Sequence, residues 1–402
     1  MTVIRFPEGF LWGASTAAHQ IEGNNTHSDW WAREHEPDTD LAQPSGDAAD
    51  SYHRYPEDMA LLAGFGLNTY RFSIEWARIE PEEGFVSKAQ LLHYRRMVDT
   101  CLEAGLTPSV TLHHFTHPRW FAQAGGWRNP AAPDLFARYT ETILPVLGDD
   151  VEWVCTINEP NMVAMTRGEE GTEMTPSKLP GPDALITERL IQGHIRSREV
   201  LSSRSQVRSG WAVAAQAYHA ASGADEATKK YGYPREDIFW EAAAGDDWVG
   251  VQAYLRTFID VDGQPLPVPE GAEVTQMGWE YFPPAIEMGI RNGWGLTKGV
   301  PIVVTENGIA TADDKRRIDY TYDALRGVHA AMADGIDVRG YLHWSALDNY
   351  EWGTYAPTFG LIGWDKDTFQ RQPKPSAPWP GGVAQRGELT HPQRSARRAR
   401  RN

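Results

Sequence analysis

Apolar and polar positions follow two rhythms along this chain: short runs rich in Val, Ile, Trp and Tyr, and longer stretches with apolar residues every three to four positions. The short runs at 11–16, 69–74, 107–112, 153–157, 210–215, 248–251, 301–304 and 340–343 predict eight strands. The longer stretches at 56–65, 88–104, 134–147, 184–203 and 318–334 predict helices between them. Strands that alternate with helices pair in parallel, because each crossover returns the chain in the same direction. Eight such units is the number at which a parallel sheet closes, which points to an α/β fold, a single (β/α)8 TIM barrel. An open doubly wound sheet is the alternative, but no Gly-rich phosphate loop follows the first strand. Residues 160–183 and 260–283, after the fourth and sixth strands, read as inserted βα loops. No linker precedes about residue 378, so 1–378 is expected to be one barrel domain. Residues 379–402 carry six Arg against Glu388 without periodicity, and are expected to form a disordered basic tail.

The placement of polar residues sharpens this pattern. LWGAST leads to His19-Gln20, NTYRFSI carries Arg71 and leads to Glu75, and PSVTLHH ends in His113-His114. WVCTI is followed by Asn158-Glu159, WVGV by Gln252 and Tyr254, and PIVVT by Glu306. YLHWSALDNYEW supplies Trp344, Asp348, Asn349, Glu351 and Trp352. In a parallel barrel the C-terminal strand ends converge on one mouth. One polar strand end is ordinary, but seven together mark a site. His113 and His219 are read as structural hydrogen-bonding residues instead.

Composition excludes several classes. A net charge of −16 repels polyanions, so nucleic acid is not an expected partner. No apolar run reaches the ~18 residues of a membrane span, so no membrane partner is expected. MTVIRFPEGF does not read as a secretory leader, and Cys101 and Cys155 read as free thiols suited to a reducing cytoplasm. The histidines form no HExxH pair and the acidic residues no calcium loop, and there is no GxSxG nucleophile elbow. No metal or cofactor is therefore expected. The 16 Trp and 15 Tyr are more than core filling requires, and a flat ring with a polar edge suits a sugar as well as a core.

Two carboxylates stand apart because apolar strands present them directly: Glu159 after the fourth strand and Glu306 after the seventh. These strands lie on roughly opposite sides of an eight-strand ring, so the two groups can face each other across the mouth. Paired carboxylates are what glycosidic cleavage uses, with ~5–5.5 Å between them when configuration is retained. Arg71 or Tyr254 beside Glu306 would favour its charged form, and Glu159, near that charge, would hold its proton.

The motifs FLWGASTAAHQIEG, YRFSIEWARI, LHHFTHPRW, TINEP, MGWE, IVVTENGIA, HWSALDNYEWG and QRQPKPSA together resemble family 1 of the glycoside hydrolases, the β-glucosidase family, in order from about residue 4 to 378. The resemblance implies a retaining β-glycosidase that takes a small-molecule β-glycoside, with Glu159 as acid/base and Glu306 as nucleophile. It also implies that Gln20, His114, Asn158, Glu351 and Trp352 line the sugar subsite with Trp344 beneath the ring. Arg71 and Tyr254 would contact the nucleophile, and Gln252 and Phe359 would complete the pocket. A cis peptide at Trp344–Ser345 is implied as well. EWGTYAPTFG lacks the family's phosphosugar cluster, which favours unphosphorylated substrates. A transglycosylase on the same machinery and a catalytically silent glycan-binding barrel are the alternatives. The usual Asn-Tyr-Tyr after strand six is replaced by Gln252-Ala253-Tyr254, and the longer amide is expected to act on the leaving-group side.

Overall fold

The computed structural model describes residues 4–166 and 179–390. Eight parallel strands close into one barrel in chain order: β1 (Leu11–Ser15), β2 (Thr69–Ser73), β3 (Thr107–His113), β4 (Trp153–Asn158), β5 (Arg208–Ala215), β6 (Val249–Ala253), β7 (Ile302–Asn307) and β8 (Val338–Trp344). The outer helices that follow them are α1 (Ser51–Gly64), α2 (Lys88–Glu103), α3 (Ala132–Leu147), α4 (Ala184–Leu201), α5 (Ile238–Ala242), α6 (Ala285–Leu296), α7 (Asp314–Ala333) and α8 (Pro378–Arg386). Each strand divides its residues between two cores. Tyr70 and Phe72 of β2 join the large core beneath the helices, whereas Arg71 between them enters the barrel. Trp153, Cys155, Ala212, Trp248, Val303 and Leu342 form a separate inner cluster, with the Trp153 and Trp248 rings 5.9 Å apart. This plug fills the N-terminal half of the barrel and leaves the C-terminal half for polar groups.

Two strands break register just before the residues of interest. The β4–β5 pairing shifts between Cys155 and Asn158, and the β6–β7 pairing between Val304 and Glu306. Such irregularities bend a strand and re-aim the side chain that follows. Here they turn Asn158 and Glu306 inward at the top of the barrel.

Helix α6 was not evident from periodicity because AIEMGIRNGWGL carries three glycines, each costing about 1 kcal/mol in a helix. Packing explains one of them. A Cβ on Gly289 would sit 2.9 Å from Val251 Cγ1 and 3.0 Å from Ala215 Cβ, so the missing side chain lets α6 lie directly on β5 and β6.

Two expectations need correction. The stretch 160–183 is not loop throughout, since a helix spans Pro160–Thr166; residues 167–178 lie outside the described residues. The segment from 379 onward is not a detached tail either. Helix α8 and the strand Glu388–Leu389 are folded, and that strand pairs antiparallel with Ile4–Arg5. Val383 and Leu389 are buried, and the Trp379 Nε1–H donates to the Thr390 carbonyl at 3.2 Å. The arginines masked a sparse apolar set that covers the end of the barrel; only 391–402 lie outside the described residues. The segment 260–283 does extend as a loop and brings Met277 and Trp279 to the mouth. No helix among the described residues is long and apolar enough to cross a membrane.

The docking of α8 is tight where Gly381 meets the end of α1, because a Cβ there would lie 1.9 Å from the Phe65 carbonyl oxygen. Gly381→Val is expected to destabilise the fold by about 1–3 kcal/mol through overpacking, read as a lowered thermal midpoint. An unchanged midpoint would mean that the segment is not part of the barrel.

Candidate active site

The C-terminal ends of the strands open into a cleft of about 400 Å³. Arg71 organises its floor. The side chain is fully buried, so its charge needs partners within reach. Its Nη1 donates to Glu306 Oε1 at 2.6 Å and its Nη2 to Asn158 Oδ1 at 2.6 Å. The Tyr254 hydroxyl donates to the other Glu306 oxygen at 2.9 Å. Glu306 is thus gripped on both oxygens by groups from β2 and from the end of β6.

Glu159 enters the same cleft from the turn after β4. Its backbone is left-handed, with φ 46°, and is held by its N–H to the Ala212 carbonyl at 2.7 Å. The two carboxyls differ electrostatically. Burial raises the Glu306 pKa, but the Arg71 charge and the bonds from Arg71 and Tyr254 oppose that rise. Burial raises Glu159 much further, the negative charges of Glu306 and Glu351 add to it, and Arg71 acts on it only through space. Glu159 is therefore the carboxyl that keeps its proton, and Glu306 the one that ionises first.

Around the pair stand the remaining expected residues. Gln20 donates to the Tyr350 carbonyl at 2.8 Å and keeps its amide against the far wall. The Glu351 carboxyl accepts from the Trp344 indole at 3.2 Å, and burial, followed by the charge of Glu306, lifts its pKa to about 8 despite that bond. His114 is pushed well below its ordinary value by burial and by Arg71, so its ring is neutral. That ring stacks on Trp344 at 5.9 Å, and Trp352 packs on His19 at 5.8 Å. Phe359 and Tyr254 pack 6.0 Å apart on the opposite wall. The Trp344–Ser345 peptide bond is cis.

Two placements differ from expectation. Gln252 turns to the barrel floor: its Nε2 donates to Asn158 Oδ1 at 2.7 Å, and in register it neighbours Glu306. Asn158 does not line the cleft; it is enclosed by Arg71, Gln252 and the His114 ring, whose Nε2 lies 3.2 Å from its amide nitrogen. His113 is buried against His117, and His219 bonds the Ala217 carbonyl, both away from the cleft.

Sequence reasoning missed much of the mouth. Trp30, Arg33, Leu41, Phe115, Met162 and Met277 line it from loops and from the short helices Asp29–Glu34 and Pro160–Thr166, whose direction no local pattern reveals. The one available signal was MGWE, a matched motif that contains Met277 and Trp279.

With this geometry established, known proteins can be compared. The model of glycosyl hydrolase family 1 matches residues 2–189 and 262–388. The thermostable β-glucosidase B of Thermobispora bispora is 34% identical over 441 aligned positions, covering 96% of this chain and 92% of that protein. A bifunctional β-D-glucosidase/β-D-fucosidase of Bifidobacterium breve is 31% identical, covering 94% and 98%. Among solved structures, β-glycosidase BGL167 superposes with a TM-score of 0.87 at 44% identity, covering 96% of this chain and 98% of that one. The family 1 β-glucosidase of Thermotoga maritima reaches 0.89 at 28% identity, covering 97% and 100%. The barrel, its cleft and these matches agree: the chain belongs to glycosyl hydrolase family 1 and is a glycoside hydrolase.

Proposed function

We propose that this enzyme hydrolyses unphosphorylated β-D-glycosides with retention of configuration, using Glu306 as nucleophile and Glu159 as acid and then base. The observation that carries this reading is the unequal setting of the two carboxyls. Glu306 is held on both oxygens by Arg71 and Tyr254, while Glu159 faces the same cleft with its proton favoured. Glu306 attacks the anomeric carbon as the glycosidic C–O bond breaks, and the departing oxygen takes the Glu159 proton. Water then gives a proton to Glu159 and attacks the same carbon, and Glu306 leaves as a carboxylate paired again with Arg71. Two displacements at one carbon restore the starting configuration.

The sugar would lie against Trp344 and Trp352, with Gln20, His114 and Glu351 reading its hydroxyls. A phosphate beside Glu351 would meet a carboxyl, and the nearby Arg33 is already paired with Asp40 at 3.1 Å, which supports an uncharged sugar. The relatives named β-glucosidase and β-D-glucosidase/β-D-fucosidase support the same sugar class. Both carboxylates are in place, so nothing favours a silent glycan-binding barrel.

Chemical rescue tests the roles. Glu306→Gly is expected to lose turnover, and added azide should give an α-glycosyl azide. Glu159→Ala should lose about 10²–10⁴-fold on poor leaving groups but little on dinitrophenyl glycosides, and azide should then give the β product. The same azide anomer from both variants would refute the assignment.

The pH profile follows from the two environments. Glu306 must be ionised and Glu159 protonated, so kcat/KM falls on the acid side with Glu306 and on the alkaline side with Glu159. Burial raises both groups, Glu159 the more, so the plateau is expected above the ordinary carboxylate range. With a dinitrophenyl substrate, Glu159→Ala should lack the alkaline limb. An alkaline limb unchanged in that variant would assign the proton donor elsewhere.

A further inference from the structure

At the rim of the cleft stands an amide that the chain itself leaves unbonded. Gln216 lines the cleft just past the end of β5, and its side-chain nitrogen and oxygen make no hydrogen bond among the described residues. The residue is half buried, and both atoms remain open to solvent. Its direction follows from the strand. Ala212 and Ala214 face the barrel interior, the first in the inner cluster and the second at the cleft, so alternation puts Gln216 on the same face. Ala217 then adopts left-handed backbone, with φ 43°, and turns the chain away.

The backbone of Gln216 is held from outside the barrel. Its N–H donates to Glu236 Oε1 at 2.6 Å, and Glu236 is buried in a π-helical turn, Tyr233–Asp237, a form frequent at functional sites. Asn161, in the helix that begins after Glu159, ties the same parts together. Its Nδ2 donates to the Ala214 carbonyl at 2.8 Å and to the Arg235 carbonyl at 3.0 Å, and its Oδ1 accepts the Ala214 N–H at 3.2 Å. The strand register gives the height of Gln216 in the cleft. Ala214, Gln252 and Glu306 are neighbours across β5, β6 and β7. Gln216 lies two residues beyond that row, about 7 Å nearer the mouth along the strand. On the reading proposed above, Glu306 attacks the anomeric carbon at the level of the row, and the leaving group lies on the mouth side. Gln216 therefore meets the leaving group.

We infer that Gln216 is a specificity-determining residue that hydrogen-bonds a hydroxyl of a glycosyl leaving group, and that Glu236 is the positioning residue that sets its place. An amide both donates and accepts, as a hydroxyl does, and a departing sugar carries several hydroxyls where a simple phenol carries none beyond the reacting oxygen. Phe115, Met162 and Met277 offer apolar contact to either kind of leaving group, so the amide is what distinguishes them. The substrate class is then the β-linked disaccharides and oligosaccharides.

The test compares cellobiose, whose leaving group is glucose, with phenyl β-glucoside. In Gln216→Leu the ratio of kcat/KM, cellobiose over phenyl β-glucoside, should fall on the order of 10-fold, the loss of one or two neutral hydrogen bonds. Gln216→Ala should show the same fall, which separates loss of the amide from crowding by Leu. Glu236→Met, which keeps the bulk and removes the acceptor, should lower the ratio as well. Glu236→Gln, which keeps an acceptor for the Gln216 N–H, should bring it back to within about threefold of the unaltered enzyme. Glu236→Ala serves if the Met variant does not fold, with the thermal midpoint as the check on folding. An unchanged ratio in both Gln216 variants would overturn the inference, as would an unaltered enzyme that cleaves phenyl β-glucoside but not cellobiose. Equal losses on both substrates in Glu236→Met would overturn the positioning role of Glu236. Failure of the unaltered enzyme to cleave either substrate would instead refute the proposed function, so the two failures are distinguishable.

Discussion

Everything at the mouth of this barrel depends on one buried guanidinium. Arg71 has no access to solvent, and a charge of that kind is tolerated only when anions and acceptors reach it. Its fork ties three strands together: β2 supplies the arginine, β7 supplies Glu306, and β4 supplies Asn158. Because Asn158 immediately precedes Glu159, the same contact that sets the charge of one carboxyl also sets the starting point of the other. Breaking a buried pair of this kind by removing one partner costs about 3–5 kcal/mol, so geometry and charge at this site are not independent. Tyr254 closes the arrangement from β6, and the inner cluster below keeps water from entering through the barrel floor.

The scaffold achieves this by departing from regular geometry at a few points. Register shifts precede Asn158 and Glu306, and Glu159, Phe115 and Trp352 adopt left-handed backbone with φ of 46°, 66° and 47°. For residues with a Cβ such conformations cost about 1–3 kcal/mol each and persist only where neighbours impose them. At Glu159 the neighbours are visible: its N–H is held by Ala212, and its carbonyl accepts the Val163 N–H at 3.0 Å as the helix Pro160–Thr166 begins. A strand running straight into that helix would carry the carboxyl away from the cleft. The kink keeps it there.

How much of this could be read in the sequence follows from which interactions are local. Strand positions were legible because Val, Ile and Trp runs such as WVCTI must be buried on both faces, and their polar ends converge by topology alone. Glu159 and Glu306 were legible for the same reason. Helix α6 was not, because its three glycines depress helix propensity, and the one at Gly289 answers to β5 and β6 instead. The folding of α8 and the strand after it was hidden because Val383 and Leu389 are isolated among small and polar residues, and Leu389 pairs with Ile4 at the opposite end of the chain. The direction of the Gln252 amide was not legible because the length of a side chain does not give its direction; that direction comes from Arg71, 181 positions away in the chain, acting through Asn158.

The crowding of carboxyls also has a consequence for the proposed reaction. Glu159, Glu306 and Glu351 all face one cleft, and the Arg71 guanidinium bonds only to the second of them. Their mutual repulsion, added to burial, favours protons on the other two. When Glu306 becomes esterified to the sugar, its negative charge disappears, and with it the largest repulsion that keeps the proton on Glu159. Glu159 becomes a stronger acid at the stage when it must give up its proton and serve as a base. Burial, the larger cause of its raised pKa, remains while the leaving group fills the mouth. Departure of that group admits water, which relieves the desolvation and is also the next reactant. On the proposed mechanism, the acid-to-base change of Glu159 is therefore coupled to emptying of the leaving-group side.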